Sequence, residues 1–224
     1  MPVLSIHNVK YKYSGADTYA VKEASGEFEE GKLYAIIGPS GSGKSTILSI
    51  LAGLDRPTEG EVCFNGIDLR QLDCDKYRRE GISMIFQAFH LFPLLTVIEN
   101  VCFPMDLLGV EKKEARERAK HLLLRVGIAE EKFKRFPSNL SGGEQQRVAI
   151  ARSLASGARI ILADEPTGNL DGANTDRIIE ILTDLAHDDG YCIIIVTHDM
   201  EVAAQADVVM KMKDGYLEQS TRNE

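Results

Sequence analysis

Residues 38–46, with the sequence GPSGSGKST, have the composition and spacing of a loop that binds phosphate. They fit the pattern G-x-x-x-x-G-K-[ST], and the following helix would present its positive end to the same anion. The glycines let backbone N–H groups approach phosphate oxygens. A structural glycine turn is the alternative, but the strand before and the helix after argue for nucleotide binding. The predicted contacts are Gly38, Pro39, Ser40, Gly41, Ser42, Gly43, Lys44, Ser45 and Thr46.

Two residues of this loop have more specific predicted roles. Lys44 would place a positive charge between the β- and γ-phosphates of the nucleotide. The Ser45 hydroxyl would be a ligand of Mg²⁺, and Thr46 would add contacts lower in the loop. On its own this segment predicts a nucleotide binder and says nothing about the reaction.

Residues 160–165, with the sequence IILADE, form an apolar run that ends in two carboxylates. Asp164 at the end of the predicted strand can hold Mg²⁺ through water or a hydroxyl. Glu165 is placed to accept a proton from a water that attacks the γ-phosphate. Hydrolysis depends mainly on positioning and charge neutralisation, and this pair supplies both. The alternative is an acidic pair that only starts a helix.

Residues 140–147, with the sequence LSGGEQQR, predict a second anion site. Its small residues precede a helical run, so they lie at the positive end of a helix. One nucleotide per chain needs only one such site. The second would therefore serve a nucleotide held by another copy of the chain. Its predicted members are Ser141, Gly142, Gly143 and Glu144.

The elements that must position these groups alternate between strand and helix. Apolar runs predict strands at 3–9, 33–37, 61–64, 82–86, 160–163 and 191–197. Helical spacing of apolar residues is found at 45–54 and 174–187. Strand, helix, strand with short connections indicates parallel pairing, so the predicted fold class is α/β with a mainly parallel central sheet.

The middle of the chain has a different pattern. Residues 96–155 are helical in character, and 111–126 form an amphipathic surface helix with a charged outer face. We expect a helical subdomain at about 91–155 inserted in a core formed by about 1–90 and 156–224. The whole chain, 1–224, would then be a single domain.

Composition excludes several classes of protein. The net charge is −8, with 34 acidic and 26 basic residues, which argues against binding nucleic acid or anionic lipid by bulk charge. The N-terminal residues do not have the pattern of a signal peptide. The longest apolar run, 191–196, is far shorter than the roughly 18 residues that span a bilayer. If the protein works on a membrane, we expect something else to supply the membrane part.

The cysteines at positions 63, 74, 102 and 192 form no C-x-x-C pair, and no histidine lies at metal-ligand spacing from them. The sequence therefore predicts reduced thiols and neither a disulfide framework nor a zinc site. His7, His90, His121 and His187 are expected to be structural or surface residues.

The ordered set of motifs resembles the ATP-binding cassette (ABC) ATPases over nearly the whole chain. LSGGEQQR is similar to the signature sequence of that family and precedes Asp164 at the family's spacing. By the same resemblance Tyr13 stacks on adenine, Gln87 senses Mg²⁺ and water, and His198 contacts the γ-phosphate. Residues 168–171, ending at Asp171, resemble the loop that crosses the dimer interface.

The resemblance implies a phosphate-loop NTPase core of RecA type with an antiparallel N-terminal β portion. It implies ATP and Mg²⁺ as cofactors, with Ser45, Gln87 and Asp164 around the metal and Glu165, His198, Gln87 and Asp171 in catalysis. Two cassettes would pair head to tail, most simply as a homodimer, with ATP between the phosphate loop of one and the signature of the other. Hydrolysis of ATP would then separate them.

Three further details resemble one branch of the family. ADEPTGNLD, LTVIENV and a short C-terminal segment are similar to cassettes that serve lipoprotein release or export of macrolides and antimicrobial peptides. Such cassettes act in the cytoplasm, on the inner face of the membrane, through a separate permease. Residues 89–95 would line the groove that receives the permease; alternatively, they only pack the helical subdomain.

Two alternatives stay open. One is the cassette of a conventional transporter with six or so helices per permease. The other is a cassette acting on DNA or the ribosome, disfavoured because the chain has one cassette and no coiled-coil insertion between its two phosphate sites. We therefore expect no nucleic-acid partner.

Overall fold

Ten strands form one mixed sheet in the computed structural model, which describes residues 2–219. Residue 1 and residues 220–224 of the predicted 1–224 domain lie outside the described part. The strands are β1 (Leu4–Tyr11), β2 (Val21–Phe28), β3 (Lys32–Ile37), β4 (Glu59–Phe64), β5 (Ile67–Asp68), β6 (Ile82–Phe86), β7 (Ile160–Asp164), β8 (Cys192–Thr197), β9 (Val208–Lys213) and β10 (Tyr216–Gln219).

The sheet has an antiparallel part and a parallel part. Its order is β5-β4-β1-β2-β10-β9-β3-β8-β7-β6. Strands β5, β4, β1 and β2 pair antiparallel, whereas β9, β3, β8, β7 and β6 pair parallel. The predicted fold class, with a mainly parallel sheet and an antiparallel N-terminal portion, is confirmed. Because the strands are parallel, β3, β6, β7 and β8 all end at one edge, where the predicted site residues follow them.

Four strands were not predicted from the sequence, namely β2, β5, β9 and β10. Strand β2 buries Val21, Ala24 and Phe28, a spacing that does not alternate with period two. The reason is its irregular register with β1, which shifts between Ile6 and Val9 and again before Tyr11. A bulged strand loses the alternation by which strands are recognised.

Seven α-helices occur in the described residues. They are α1 (Lys44–Leu51), α2 (Cys74–Lys76), α3 (Val97–Leu107), α4 (Lys112–Arg125), α5 (Gly142–Ala155), α6 (Gly172–His187) and α7 (Met200–Ala204). Helix α1 ends at Leu51, earlier than the predicted 54, because Gly53 takes a positive φ and terminates the turn. In residues 2–219 no helix is both long enough and apolar enough to cross a bilayer.

The parallel sheet separates two hydrophobic cores. Along β8, Ile193 and Ile195 face a core shared with α3, α4, α5 and α6, whereas Cys192, Ile194 and Val196 face a core shared with α1, β1 and β2. This alternation is the period-two pattern of a strand buried on both faces. A rigid sheet therefore holds the loops at its carboxyl edge.

Candidate active site

A cleft of about 680 Å³ opens at the carboxyl edge of the parallel strands. The loops after β3, β6, β7 and β8 contribute to it, as expected for ligand sites in open α/β sheets. The predicted residues that line it are Tyr13, Ser40, Gly41, Gly43, Lys44, Ser45, Thr46, Gln87, Glu165 and His198.

The loop between β3 and α1 requires glycine at two of its predicted positions. A Cβ atom on Gly38 would lie 2.1 Å from the Met212 carbonyl oxygen, and Gly43 has a φ of +107°. The Lys44 amine donates to the carbonyl oxygens of Gly38 at 2.8 Å and Pro39 at 3.0 Å. The buried lysine stem thus holds the charge over the loop, where an anion would bind.

Ser42, in the same loop, differs from Lys44 in its hydrogen bonding. Its hydroxyl oxygen is buried and makes no hydrogen bond in the described part of the chain. Buried hydroxyls normally have a partner, so an unpaired one next to an anion-binding loop is consistent with a site that is completed by a ligand.

Ser45 and Asp164 meet across the strands. The Ser45 hydroxyl donates to Asp164 Oδ1 at 3.2 Å. Burial raises the pKa of Asp164, and the charge of Glu165 raises it further, while the Ser45 hydrogen bond opposes both. A half-buried carboxylate whose charge is poorly compensated favours a bound cation, and hydroxyl and carboxylate oxygens suit Mg²⁺. These residues therefore fit the predicted metal.

Gln87 follows β6 and faces the same cleft. Its amide nitrogen lies 3.4 Å from Asn169 Oδ1, and Asn169 Nδ2 donates to the Gln87 carbonyl oxygen at 3.0 Å. The glutamine is thus tied to residues 168–171, the loop predicted to cross a dimer interface.

Glu165 has a backbone conformation that non-glycine residues rarely adopt, with a φ of +47°. Its N–H donates to the Val196 carbonyl oxygen at 2.9 Å, which anchors the residue to the end of β8. Its carboxylate oxygen Oε1 lies 2.8 Å from His198 Nδ1. That hydrogen bond and the Glu165 charge raise the pKa of His198. Residues held in strained conformations concentrate at functional sites.

Tyr13 lies at the far side of the cleft. Its hydroxyl is 2.8 Å from the Thr46 hydroxyl oxygen, and its ring meets Tyr11 edge-on with centroids 4.9 Å apart. The residue is 48% exposed, so a ligand in the cleft can reach it. Its position is compatible with the predicted contact to adenine.

The signature turn lies outside this cleft. Ser141 is the N-cap of α5, and its N–H donates to Glu144 Oε2 at 3.0 Å in a capping box. Glu144 also forms an ion pair with Lys132, so its carboxylate is already engaged. The N–H groups of Gly142 and Gly143 have no partner within the helix, as is general for a first helical turn. They remain available to an anion from outside.

Asp171 lies beside the signature turn and is not brought into the cleft. Its Oδ1 accepts from both the backbone and the side-chain nitrogen of Asn174 at 2.9 Å, which caps α6. A Cβ on Gly143 would lie 2.0 Å from Asn174 Oδ1, so α5 and α6 touch at their N-terminal ends. The structure therefore divides the predicted residues into a cleft and a separate surface formed by α5 and α6.

Two residues of α5 were missed by the sequence interpretation. Gln146 is fully buried and donates through Nε2 to the carbonyl oxygens of Pro166 at 2.7 Å and Phe86 at 3.4 Å. Gln146 joins the signature helix to the loops that carry Glu165 and Gln87. The sequence feature that could have identified Gln146 is its position within LSGGEQQR.

Arg152 is the second missed residue. It donates to the carbonyl oxygens of Phe89 at 3.1 Å and His90 at 2.6 Å, and both acceptor residues have a positive φ. It thereby holds the segment after Gln87 in a strained form. A cation among apolar helix positions was the only sequence signal.

Comparisons with known proteins agree with this arrangement. A sequence profile of the family described as ABC transporter matches residues 21–168. The chain is 44% identical over 218 residues to the uncharacterized ABC transporter ATP-binding protein MJ0796 of Methanocaldococcus jannaschii, covering 95% of this chain and 93% of that protein. It is 44% identical to the macrolide export ATP-binding/permease protein MacB of Shigella flexneri, covering 96% of this chain and 34% of that one.

Solved structures of MJ0796 have the same fold. A dimeric structure of this bacterial ABC transporter cassette superposes with a TM-score of 0.89 at 40% identity, covering 99% of both chains. A dimeric structure of a post-hydrolysis state of MJ0796, bound to ADP and Pi, superposes with the same values.

Proposed function

The chain belongs to the ABC transporter family, and from that premise we propose that its cleft and its signature turn are two halves of a composite ATP site. The chain is an ATP-hydrolysing cassette. The observation that carries the proposal is that Glu165 and His198 line the cleft while Ser141–Gly143 lie outside it. A second copy is needed to complete the site.

Within the cleft, the phosphate loop and Lys44 bind the β- and γ-phosphates. Ser45, Asp164 and Gln87 would hold Mg²⁺, which would supply positive charge to the phosphate oxygens. The ring of Tyr13 lies against adenine. The geometry described above supports these assignments, since Tyr13, Lys44, Ser45 and Gln87 line one cavity and Asp164 accepts a hydrogen bond from Ser45.

Glu165 acts as the general base. It accepts a proton from a water that attacks the γ-phosphorus, and the bond from phosphorus to the bridging oxygen of ADP breaks. His198, held by Glu165 at 2.8 Å, donates a hydrogen bond to the γ-phosphate. Positioning of the water and charge neutralisation account for most of the rate in such reactions.

The second half of the site comes from another copy. Gly142 and Gly143 offer backbone N–H groups at the N-terminus of α5, where an anion is favoured. Asp171 organises the same interface from the neighbouring N-terminus of α6. The dimeric structures of MJ0796 support a homodimer as the assembly.

We place the permease at a groove of about 590 Å³ beside residues 89–95. It is lined by apolar side chains, including Leu91, Phe92 and Phe103, with Arg78 and Arg79 at its border. The groove lies where the helical part, about 91–155, meets the core, about 1–90 and 156–224, since Met84 and Phe86 come from the core and Leu91 and Phe103 from the helical part. The cassette would act in the cytoplasm on the inner face of the membrane.

The names of the relatives support one branch of the transporter family, the exporters. MacB, named as a macrolide export ATP-binding/permease protein, carries cassette and permease in one chain of which this chain covers 34%. We propose export or mechanical work of this type with the permease on a separate chain. A conventional six-helix permease is the second candidate, and a cassette that acts on DNA or ribosomes is the third.

Glu165→Gln tests the reaction. We expect the variant to bind ATP and dimerise but to hydrolyse it about 10²- to 10⁴-fold more slowly, as for loss of a general base. Glu201→Gln, an exposed substitution on α7, is the matched control and should retain the wild-type rate. A Glu165→Gln variant that turns over at the wild-type rate would refute the assignment of the base.

Affinity purification tests the partner. Tagged Glu165→Gln, purified from native membranes with ATP and Mg²⁺, should retain a four-helix permease with a large external domain. Recovery of a six-helix permease would move the protein to conventional transport. Recovery of only ribosomes or nucleic acid would leave the ATPase chemistry in place and overturn the transport proposal.

A further inference from the structure

Three side chains of metal-binding type meet on the outer face of strands β1 and β4, away from the ATP cleft. The ligand atoms of His7, Glu61 and Cys63 all lie within 4.8 Å of one another. The antiparallel ladder pairs His7 with Glu61 and Ser5 with Cys63. Side chains two apart on a strand share a face, so the ladder brings all four to the same side. The other face of both strands lies on the hydrophobic core.

This cluster was not anticipated from the sequence. The sequence predicted no zinc site, because the cysteines form no C-x-x-C pair and no histidine lies at metal-ligand spacing from them. His7 and Cys63 belong to strands far apart in sequence, and only the register of β1 with β4 makes them neighbours. Motif spacing detects metal sites built on one loop or helix and cannot detect one that is assembled across a sheet.

The charges around the cluster leave the Glu61 carboxylate available. Arg70 is the nearest cation, with Nη2 at 3.8 Å from Glu61 Oε2. Its guanidinium is already bound by Asp68, whose Oδ2 accepts from Arg70 Nε at 2.9 Å. Arg70 therefore pairs more closely with Asp68 than with Glu61, whose contact with it is at 3.8 Å. The Glu61 side chain is 46% exposed, so ions from solvent can reach it.

The site also has a supporting residue. Ser5 is 6% exposed, and its hydroxyl lies 3.1 Å from His7 Nε2. A hydrogen bond to one imidazole nitrogen orients the ring and leaves the other nitrogen to act as a ligand. Glu61 lies two residues from Cys63 on β4, and Asp68 is the register partner of Cys63 on β5. These carboxylates create a negative potential that favours a cation beside the sulfur.

We propose that His7, Glu61 and Cys63 bind one divalent transition-metal ion, with Zn²⁺ as the ion that best fits one nitrogen, one oxygen and one sulfur donor. Three protein ligands leave a fourth tetrahedral position for water. As the metal–sulfur bond forms, the Cys63 thiol releases its proton to solvent. The bound ion links β1 to β4 on the face opposite the core.

Cobalt titration of the whole chain tests the proposal. Chelator-treated protein without nucleotide should bind one Co²⁺ with a thiolate-to-cobalt charge-transfer absorption that added Zn²⁺ abolishes. Co²⁺ at Ser45 and Asp164 would have oxygen ligands only, so it would not produce this absorption. The spectrum therefore separates the proposed site from the ATP site, and absence of the absorption in the wild-type chain would overturn the proposal.

Matched variants identify the ligands. Cys63→Ser should lose the absorption, whereas Cys74→Ser, which replaces a half-buried free thiol on α2, should keep it. His7→Ala and Glu61→Gln should each weaken Co²⁺ binding by at least about tenfold. Far-UV circular dichroism checks that all four are folded. An unchanged absorption in Cys63→Ser, or wild-type affinity in either other ligand variant, would refute the three-residue site.

Discussion

The Nδ1 atom of His198 lies 2.8 Å from Oε1 of Glu165, so the two groups that would face the γ-phosphate also hold each other. The histidine follows β8 and the glutamate follows β7, and these strands are neighbours in the sheet. A carboxylate has two oxygens, so Oε2 can accept a proton from water while Oε1 is paired. The hydrogen bond between them therefore positions Glu165, the general base, and His198, which would contact the γ-phosphate, relative to each other.

This pairing predicts that His198 titrates above its ordinary pKa in the protein without nucleotide. The hydrogen bond and charge of Glu165 stabilise the imidazolium, so Glu165→Gln should lower the pKa of His198. Because the folded pKa is raised, the pair's stabilisation is complete below the unfolded pKa and is lost as pH rises through the folded value. Histidine NMR titration measures this shift.

Glu201→Gln is the control for that titration, because it removes a carboxylate on α7 that is not paired with His198. It should leave the His198 pKa unchanged. If the pKa of His198 is the same in wild type and Glu165→Gln, the contact is not formed in solution.

The site residues that the sequence analysis named and those that it missed differ in how their contacts arise. Lys44, Ser45 and Asp164 could be located because each belongs to a short motif next to an apolar strand. Gln146 and Arg152 act on backbone carbonyls of segments distant in the sequence, and only the packing of α5 brings them there. No local pattern encodes such contacts.

Gln146 predicts a test of the link between the signature helix and the catalytic loops. Gln146→Glu replaces a buried donor by an acceptor that faces the carbonyl oxygens of Pro166 and Phe86. The unpaired buried group should lower the free energy of unfolding by at least about 2 kcal/mol. Urea denaturation, monitored by circular dichroism, measures this decrease in the free energy of unfolding.

The neighbouring glutamine is the matched control. Gln145 is half-buried and donates to the Leu140 carbonyl oxygen at 3.2 Å, so solvent can reach a carboxylate there. Gln145→Glu should cost about 1 kcal/mol or less. If the two variants lost equal amounts of the free energy of unfolding, the buried hydrogen bonds of Gln146 would contribute no more to stability than the half-buried one of Gln145.

The proposed permease groove predicts that a charge beside it blocks docking. Leu94 is 87% exposed and follows Leu91 and Phe92, which line the groove. Leu94→Glu should therefore change stability by no more than about 0.5 kcal/mol. It should abolish co-purification of the permease and its stimulation of ATP hydrolysis. Leu124→Glu, which replaces an exposed leucine of α4, is the control and should leave permease binding unchanged. Normal permease binding by Leu94→Glu would instead show that residues 89–95 only pack the helical subdomain.

The composite site predicts that two inactive variants restore activity when mixed. Lys44→Ala disables the phosphate loop, and Gly142→Asp places a carboxylate where the γ-phosphate would bind. A Cβ on Gly142 would meet only ordinary contacts, the nearest at 3.5 Å to Leu170, and an acidic residue in a first helical turn favours the helix. Gly142→Asp should therefore fold.

In a head-to-tail heterodimer of these variants, one site combines both defects and the other combines two intact halves. An equal mixture should regain about a quarter of the wild-type rate if sites turn over independently, because half of the dimers are mixed and each has one working site. Each variant mixed with itself is the control. If the signature turn served the nucleotide of its own chain, no dimer would contain an intact site, and the mixture would stay inactive.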